Sequence, residues 1–254
     1  MEPVRGHRNQ RVVEAARLNR ARARRDLGRT LIEGPHLLDE ALTAGIMPEL
    51  VFALDSDERT VALSRQHRFE LALVDEGALK RVADTRSPRG PVAVIEIPPS
   101  TASGGTGLLV AWGVSDPGNV GTLIRTAAAF SWDFAHTDGT ADPWSPKVLR
   151  AGSGGHFRAG IRQVGPLSDL TDAGYLPVAA VVSGGVPPSE LAPGRYAILV
   201  GEEAAGLPQD VIEGASLLVT IPMTGGQESL NAAIAAGMIV YELSKPGRVG
   251  EGQV

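Results

Sequence analysis

Five side chains that could bind and position a polar substrate follow short apolar segments in the second half of the chain. They lie in the stretches SDPGNVGTLIRTAAAF (115–130), YAILVGEEAAGLP (196–208) and IPMTGGQESLNAAIAAG (221–237). Loops that follow the strands of one parallel sheet meet at its carboxyl edge, where backbone amides and a few polar groups form a crevice suited to a nucleoside-like ligand. The five residues are Asn119, Arg125, Glu202, Ser229 and Asn231.

Each of these residues also has a purely structural interpretation. Asn119 lies at the predicted start of a helix and could cap it, and Ser229 or Asn231 could cap the last helix in the same way. Glu202 could be a simple partner of a helix dipole. Arg125 is the lone charge among apolar and small residues, and an arginine that is buried or faces a cleft needs an anionic or carbonyl partner.

Several other kinds of site lack their residues in this sequence. The chain has no cysteine, and its five histidines are scattered, so we expect neither a disulfide nor a metal site. Neither the G-x-G-x-x-G dinucleotide motif nor the G-x-x-x-x-G-K-[ST] phosphate loop is present. SGGTGLL (103–109) precedes a predicted strand, whereas a dinucleotide loop would follow one.

Composition indicates an ordinary globular protein. Hydrophobic residues make up 43% and charged residues 21% of the 254 residues, enough for one large α/β domain or two modest ones. No apolar run approaches the roughly 18 residues that span a bilayer, and no apolar segment of the kind found in signal peptides follows the basic N-terminus. We therefore expect a cytoplasmic protein with no membrane partner.

Charge is distributed unevenly along the chain. The net charge is −5, yet the first thirty residues hold nine arginines against three acidic residues, so this segment carries +6 and the remainder −11. Such a segment is typical of an arm that binds phosphates, although a solvated basic helix has the same composition. The arginines are Arg5, Arg8, Arg11, Arg17, Arg20, Arg22, Arg24, Arg25 and Arg29.

The pattern of apolar segments predicts two α/β domains. Residues 1–96 alternate strand-like and helical segments, which predicts a small α/β domain preceded by the basic arm. The stretch 97–107, rich in Pro, Ser and Gly, predicts a linker, and 108–254 form the second domain. The predicted strands of the first domain are RTLIEG, ELVFALD, FELALVD and PVAVIEI, and its helices lie near 35–44, 57–66 and 75–83.

The second domain has longer apolar strands joined by helices, which predicts a parallel sheet covered on both faces. By itself this pattern favours an unknotted, doubly wound sheet. Helices are expected at 118–130, in SPKVLRAG (145–152) and over roughly 230–243. The predicted strands are LLVAWGV, FAHTDG, PVAAVVSGG, YAILVGEE and SLLVTIPM.

The three loop stretches, taken in order, resemble the three motifs of the SpoU (TrmH) family of RNA ribose 2′-O-methyltransferases, within the SPOUT superfamily. The resemblance covers roughly residues 108–245, and SPKVLRAGSGGHF (145–157) resembles a further family segment. In that segment RAGSGG departs from the usual family pattern. Whether Arg150 and Ser153 share a role in substrate binding is therefore left open. Residues 8–96 resemble, more loosely, the small ribosomal-protein-like substrate-binding domain of many members.

This resemblance implies a fold, a cofactor and roles for individual residues. It implies a C-terminal deep trefoil knot that binds S-adenosylmethionine, a homodimer with its site near the subunit interface, and structured RNA, above all large-subunit ribosomal RNA, as substrate. Arg125 would be the catalytic residue, with Asn119, Glu202, Ser229 and Asn231 arranging the substrate and the arginine. The implied cofactor contacts are Val200, Gly201, Gly206, Ile221, Met223 and Leu230.

Three alternative functions remain open at this point. The chain could be a non-catalytic RNA-binding or ribosome-assembly module on the same fold, although binding alone would not require all five polar residues. It could methylate the ribose of transfer RNA instead. A small-molecule enzyme with a nucleotide cofactor is the third, and the basic arm argues against it.

Overall fold

The computed structural model describes residues 6, 8–88, 90–99, 104–225 and 229–246. Contacts between residues divide the chain into two compact units, one of residues 1–99 with 142–157 and the other of residues 100–141 with 158–254. Residues 142–157 thus group with the N-terminal unit, although the sequence pattern placed them in the second domain. The domain boundaries at 96 and 108 stay a prediction.

The secondary structure follows the predicted alternation closely. The helices are α1 Gln10–Arg17, α2 Ala21–Leu27, α3 Pro35–Thr43, α4 Glu58–His67, α5 Glu76–Val82, α6 Pro117–Ala129, α7 Pro146–Gly152, α8 Ser168–Asp172, α9 Gln209–Gly214 and α10 Ala232–Leu243. The strands are β1 Arg29–Glu33, β2 Leu50–Leu54, β3 Leu71–Val74, β4 Val92–Glu96, β5 Leu108–Ala111, β6 Asp133–His136, β7 Ile161–Gln163, β8 Leu176–Ala180, β9 Tyr196–Val200 and β10 Leu217–Val219.

The first unit is built on a mixed sheet in the order β1-β4-β2-β3, with β2 and β3 parallel and β4 antiparallel to both β1 and β2. Neighbouring residues on a strand point to opposite faces, so Phe52 packs in one core cluster with residues of α1 and α5. Val51 and Ala53 pack in another cluster with residues of α3. Helices therefore cover both faces, and the predicted small α/β domain is confirmed.

The basic N-terminal segment contributes to this core over the part that the structure describes, from residue 8 on. Val12 and Leu18 are buried in the same cluster as Phe52. Arg24 is only 3% exposed, and its guanidinium donates to the carboxylate of Asp142 at 3.0 Å through Nε and to the carbonyl of Leu18 at 2.8 Å through Nη1. Because a buried guanidinium must be fully paired, Arg24 fits neither the phosphate-binding arm nor the solvated basic helix that the sequence left open.

The remaining arginines of this segment fall into two groups. Arg29 forms an ion pair with Glu49 at 2.8 Å, and Arg11 and Arg22 pair with Glu70 and Asp26. The second group is exposed and has no ion pair with any residue that the structure describes. Its members are Arg8, Arg17, Arg20 and Arg25.

Arg150 on α7 is likewise held by carboxylates. Its guanidinium donates to Glu33 at 3.2 Å and to Asp84 at 2.7 Å. Ser153 ends the helix in a left-handed conformation (φ 47°), and its hydroxyl lies 2.9 Å from the ring nitrogen Nε2 of His36. Because two carboxylates already neutralise Arg150, its contacts favour a structural role over phosphate binding.

The second unit contains a sheet in the order β10-β8-β9-β5-β6-β7, in which every paired strand is parallel. The predicted parallel sheet is thus confirmed. Helix α6 packs on β5 and β6, and α10 packs on β9 and α6. Three elements escaped prediction, because β7, α8 and α9 are short and their sequences are mostly polar. The trefoil knot implied by the resemblance stays a prediction.

Helices α6 and α10 are tied together at their C-terminal ends. Trp132, just after α6, donates its indole N–H to the hydroxyl of Ser244 at 3.0 Å. The rings of Phe130 and Tyr241 meet edge to face with centroids 6.1 Å apart.

No helix in the described part of the chain is both long and apolar enough to span a bilayer.

One histidine of the N-terminal unit is buried beside a tryptophan. His156 is 3% exposed, packs against Trp144 and donates its Nε2 proton to the carbonyl of Pro143 at 2.9 Å, whereas Nδ1 has no hydrogen-bond partner among the described residues. Burial lowers the pKa of His156 to about 4, although the hydrogen bond with Pro143 opposes this shift. The imidazole is therefore neutral in the folded chain at neutral pH.

We predict that acid weakens the fold through His156. Because its pKa is lower in the folded than in the unfolded chain, the unfolded chain binds more protons below pH 6.5, and stability falls as the pH drops toward 4. The cost between pH 7.5 and pH 5 is about 2 kcal/mol. Urea unfolding at both pH values should show this loss in the wild type and a smaller one in His156→Gln, which keeps an N–H donor but does not titrate. Equal losses in the two proteins would contradict the prediction.

Candidate functional site

The loop after β9 is a tight turn closed by its own backbone. The N–H of Gly206 donates to the carbonyl of Glu202 at 2.8 Å. A Cβ atom at Gly201 would lie 2.2 Å from the backbone carbon of Gly206, and Gly206 itself has a left-handed φ of 69°. Both glycines are therefore required, Gly201 for the close approach of two backbone segments and Gly206 for its conformation. No helix begins at Glu202, so the helix-dipole interpretation of this residue is wrong.

The loop after β5 leads directly into α6. Asp116 caps this helix by accepting the N–H of Asn119 at 2.8 Å, and Pro117 occupies the first helical position. The capping interpretation of Asn119 is wrong, and its side chain is left for other contacts. Ser115 donates its hydroxyl to the carboxylate of Glu202, which joins this loop to the one after β9.

Three side chains connect all three loops in what we call the asparagine–glutamate network, formed by Asn119, Glu203 and Asn231. The amide nitrogen of Asn231 donates to Oδ1 of Asn119 and to Oε2 of Glu203, both at 3.0 Å, and that of Asn119 donates to the same Oε2 at 3.2 Å. Oδ1 of Asn231 caps α10 by accepting the N–H groups of Ala233 and Ile234. The cap and the network thus share one amide group.

Beside the network lies a cavity at the carboxyl edge of the sheet, which we call the edge pocket. It has about 680 Å³ of empty space, its open mouth included, and Glu202, Glu203 and Ser229 line it. Its other walls are apolar or backbone, and include Val182, Ala235 and Ile239. All six residues expected to contact a cofactor line this pocket: Val200, Gly201, Gly206, Ile221, Met223 and Leu230.

Arg125 lies elsewhere on α6. Its side chain is exposed, is not part of the edge pocket, and has no hydrogen bond or ion pair with the described residues. The sequence interpretation required a partner for a buried or cleft-facing arginine, whereas an exposed guanidinium is satisfied by water. Among the residues that the structure describes, no group of His, Cys, Asp or Glu could hold a metal ion.

Sequence reasoning overlooked two residues of this site. Glu203, not Glu202, contacts Asn119 and Asn231, and Ser115 fixes Glu202. The adjacent glutamates were visible as a pair, but only the loop conformation decides which carboxylate faces which neighbour. Gly226, Gln227 and Glu228 of the third loop stretch lie outside the described residues.

Comparison with known proteins yields matches along nearly the whole chain. A family model described as "SpoU rRNA Methylase family" matches residues 107–241, and one described as "MRM3-like substrate binding domain" matches residues 9–93. A curated relative, the 23S rRNA (guanosine(2553)-2′-O)-methyltransferase RlmP of Bacillus subtilis, is 32% identical over 96% of this chain and 99% of its own length.

Solved structures show the same similarity. A crystal structure described as an RNA 2′-O ribose methyltransferase is 30% identical, with a TM-score of 0.78 over 94% of this chain and 97% of its own. The SpoU methyltransferase AviRb from Streptomyces viridochromogenes, in complex with the cofactor AdoMet, is 25% identical, with a TM-score of 0.83 over 93% of this chain and 97% of its own.

We predict that the two glycines of the β9 loop differ sharply in their tolerance of a methyl group. Gly201→Ala places a Cβ against backbone atoms that cannot move aside, and should reduce the free energy of unfolding by more than about 3 kcal/mol. Gly206→Ala, the matched control, has open space around it. It should reduce the free energy of unfolding by about 1–2 kcal/mol, because alanine is strained in a left-handed conformation. Urea unfolding compares the two, and a larger loss for Gly206→Ala would refute the clash.

Proposed function

Because this chain belongs to the SpoU rRNA methylase family, we propose that it transfers a methyl group from S-adenosylmethionine to a ribose 2′-hydroxyl of RNA. The observation that carries this proposal is the edge pocket, where three loops from separate parts of the chain meet beside the asparagine–glutamate network. We further propose that the substrate is ribosomal RNA of the large subunit and that the reaction takes place in the cytoplasm.

The edge pocket fits the proposed cofactor chemically. Its apolar walls suit an adenosine group, and its two carboxylates, with no basic side chain among the described lining residues, suit a ligand that carries positive charge. Ile221, Met223 and Leu230 would contact the cofactor, together with the backbone from Val200 to Gly206. When bound, S-adenosylmethionine supplies an electrophilic methyl group on a sulfonium.

The polar residues around the pocket would position and activate the ribose. Asn119 and Ser229 present an amide N–H and a hydroxyl that can bind ribose oxygens. Asn231 would arrange the substrate through Asn119, because its own amide protons bond Asn119 and Glu203. Glu202 would contribute to the wall of the cofactor site. A 2′-hydroxyl is a weak nucleophile until its proton is removed or held in a hydrogen bond.

Arg125 would act on the charge that develops during transfer. A guanidinium stays protonated in proteins and is therefore a poor proton acceptor, but it can bind the target phosphate and stabilise a forming oxyanion. Its exposed position, free of any partner among the described residues, leaves it available to an RNA ligand. The proton would pass to a phosphate or to water.

Two features support ribosomal RNA as the substrate. The relative from Bacillus subtilis is named for methylation of 23S ribosomal RNA, and it is similar to this chain over both units. The N-terminal unit matches a substrate-binding domain and presents Arg8, Arg17, Arg20 and Arg25 without ion-pair partners among the described residues. Exposed arginines without partners bind phosphates with little desolvation cost.

A homodimer is part of the proposal. Ile234, Met238 and Tyr241 are 53%, 47% and 56% exposed, and their spacing of four and three residues places them on one face of α10. Large apolar side chains grouped on one helix face mark an interaction surface, and a twofold axis lets the same face pair with itself. Two copies of α10 would thus bury these side chains.

We predict that Arg125→Ala abolishes transfer and spares cofactor binding. With labelled S-adenosylmethionine and large-subunit ribosomal RNA, methylation should fall by more than about 100-fold, because the oxyanion loses its cation. Calorimetry should show unchanged cofactor affinity, since Arg125 does not line the edge pocket.

Arg125→Lys serves as the matched control, since it keeps the charge without the planar fork and should retain part of the activity. Loss of cofactor binding in Arg125→Ala would place this residue in the cofactor site instead. Label on transfer RNA but not on ribosomal RNA would overturn the substrate, and no label on any RNA would overturn the enzyme.

We also predict that Met238→Glu converts the dimer into a monomer, because a carboxylate on this face would be buried without a partner. Size-exclusion chromatography with light scattering measures the mass. Leu176→Glu, at an apolar side chain that is 41% exposed on β8, is the control and should leave the dimer intact. A wild-type protein that is already monomeric would disprove this arrangement.

A further inference from the structure

The edge pocket has an unusual charge for a site whose other walls are apolar. Two of its lining residues, Glu202 and Glu203, are acidic, and among the described residues none that line it is basic. Neither carboxylate forms an ion pair within the described part of the chain. A pair of carboxylates beside apolar surface is unfavourable unless a cation or several donors approach them.

The two carboxylates differ in what already satisfies them. Glu203 is exposed and accepts hydrogen bonds from the amides of Asn119 and Asn231. Glu202 is half-buried and accepts from the hydroxyl of Ser115. Of the two pocket-lining glutamates, Glu202 therefore has fewer hydrogen-bond donors to its carboxylate among the described residues.

The position of Glu202 is fixed as well. Its carbonyl accepts the N–H of Gly206, and the backbone at Gly201 packs closely against Gly206. Ser115 restrains the carboxylate from the neighbouring loop. A charge held in place on a partly enclosed wall acts on a ligand more strongly than a mobile surface charge, because less water screens it.

We infer that Glu202 makes the edge pocket distinguish its ligands by charge, favouring a cationic sulfonium over the neutral thioether that remains after methyl transfer. This inference rests on the proposed function, since it concerns the same cofactor site. S-Adenosylmethionine and S-adenosylhomocysteine share their adenosine and amino-acid parts, so apolar contacts alone hardly separate them. The carboxylate of Glu202 attracts the positive sulfur centre and gains nothing from the thioether.

The consequence for turnover is easier exchange of product for cofactor. Removal of the methyl group removes the positive charge at sulfur, so Glu202 no longer attracts the bound molecule there. Product inhibition is then weaker than in a pocket with a neutral side chain at this position. Glu202 is accordingly a specificity-determining residue of the cofactor site.

The experiment measures binding and needs no RNA. Isothermal titration calorimetry gives the affinities of full-length wild type and Glu202→Gln for S-adenosylmethionine, S-adenosylhomocysteine and sinefungin, an analogue that carries an amine where the cofactor carries its sulfonium. Glutamine keeps the size of the side chain and an oxygen that can accept from Ser115. Glu213→Gln, on the exposed surface of α9, removes the same charge outside the pocket.

We expect Glu202→Gln to reduce the preference for each charged ligand over the thioether by about threefold to tenfold, through weaker binding of the charged ligands alone. Glu213→Gln should keep the wild-type preference, as should Glu202→Asp, which retains the carboxylate. A preference that is unchanged in Glu202→Gln overturns the inference and leaves the proposed function standing. If the wild type binds none of the three ligands, the proposed function itself is overturned.

A second measurement covers the case in which Glu202→Gln does not fold. Raising the ionic strength weakens attraction between charges and leaves apolar contacts intact. Wild-type affinity for S-adenosylmethionine should therefore fall with added salt while affinity for S-adenosylhomocysteine stays level. Parallel behaviour of the two affinities would refute a role for charge.

Discussion

The parallel pairing of β5 with β9 is the constraint on which the candidate site depends. Ala111 and Val200 lie opposite each other at the last paired position, so both strands end at the same edge of the sheet. The loops that follow are thereby brought together, although they are almost ninety residues apart in the chain. Ser115 and Glu202 then connect them by a hydrogen bond, and the edge pocket forms beside this contact.

Helix α10 completes this arrangement through one residue. Asn231 uses its carbonyl oxygen to cap the helix and its amide nitrogen to bond Asn119 and Glu203. A capping interaction stabilises the end of a helix by about 1 kcal/mol, so the position of Asn231 is fixed by local backbone energetics before any ligand binds. The residues that would meet the ribose are thus held by the fold, which reduces the entropy lost on binding.

The charged side chains of the two units differ in sign and in whether they have partners. In the N-terminal unit carboxylates pair Arg24 and Arg150, so the charge of these arginines is already compensated within the fold. The exposed arginines without ion pairs, in α1, α2 and the segments beside α1, keep their charge available. In the second unit the described lining residues of the edge pocket include carboxylates and no basic side chain, which suits a small cation and disfavours direct entry of phosphate.

The sequence by itself determined the parallel sheet and most helix and strand positions, because apolar periodicity is a local signal. The resemblance of its motifs to a known family implied six cofactor contacts, which remain a prediction although all six residues line one cavity. The sequence also identified the family through its motifs. Only the tertiary structure decided that Glu203 and not Glu202 contacts the asparagines, that Asp116 caps α6, and that Arg24 is buried against Asp142. The physical reason is that hydrogen-bond partners far apart in the chain depend on loop conformation and packing, to which local patterns are blind.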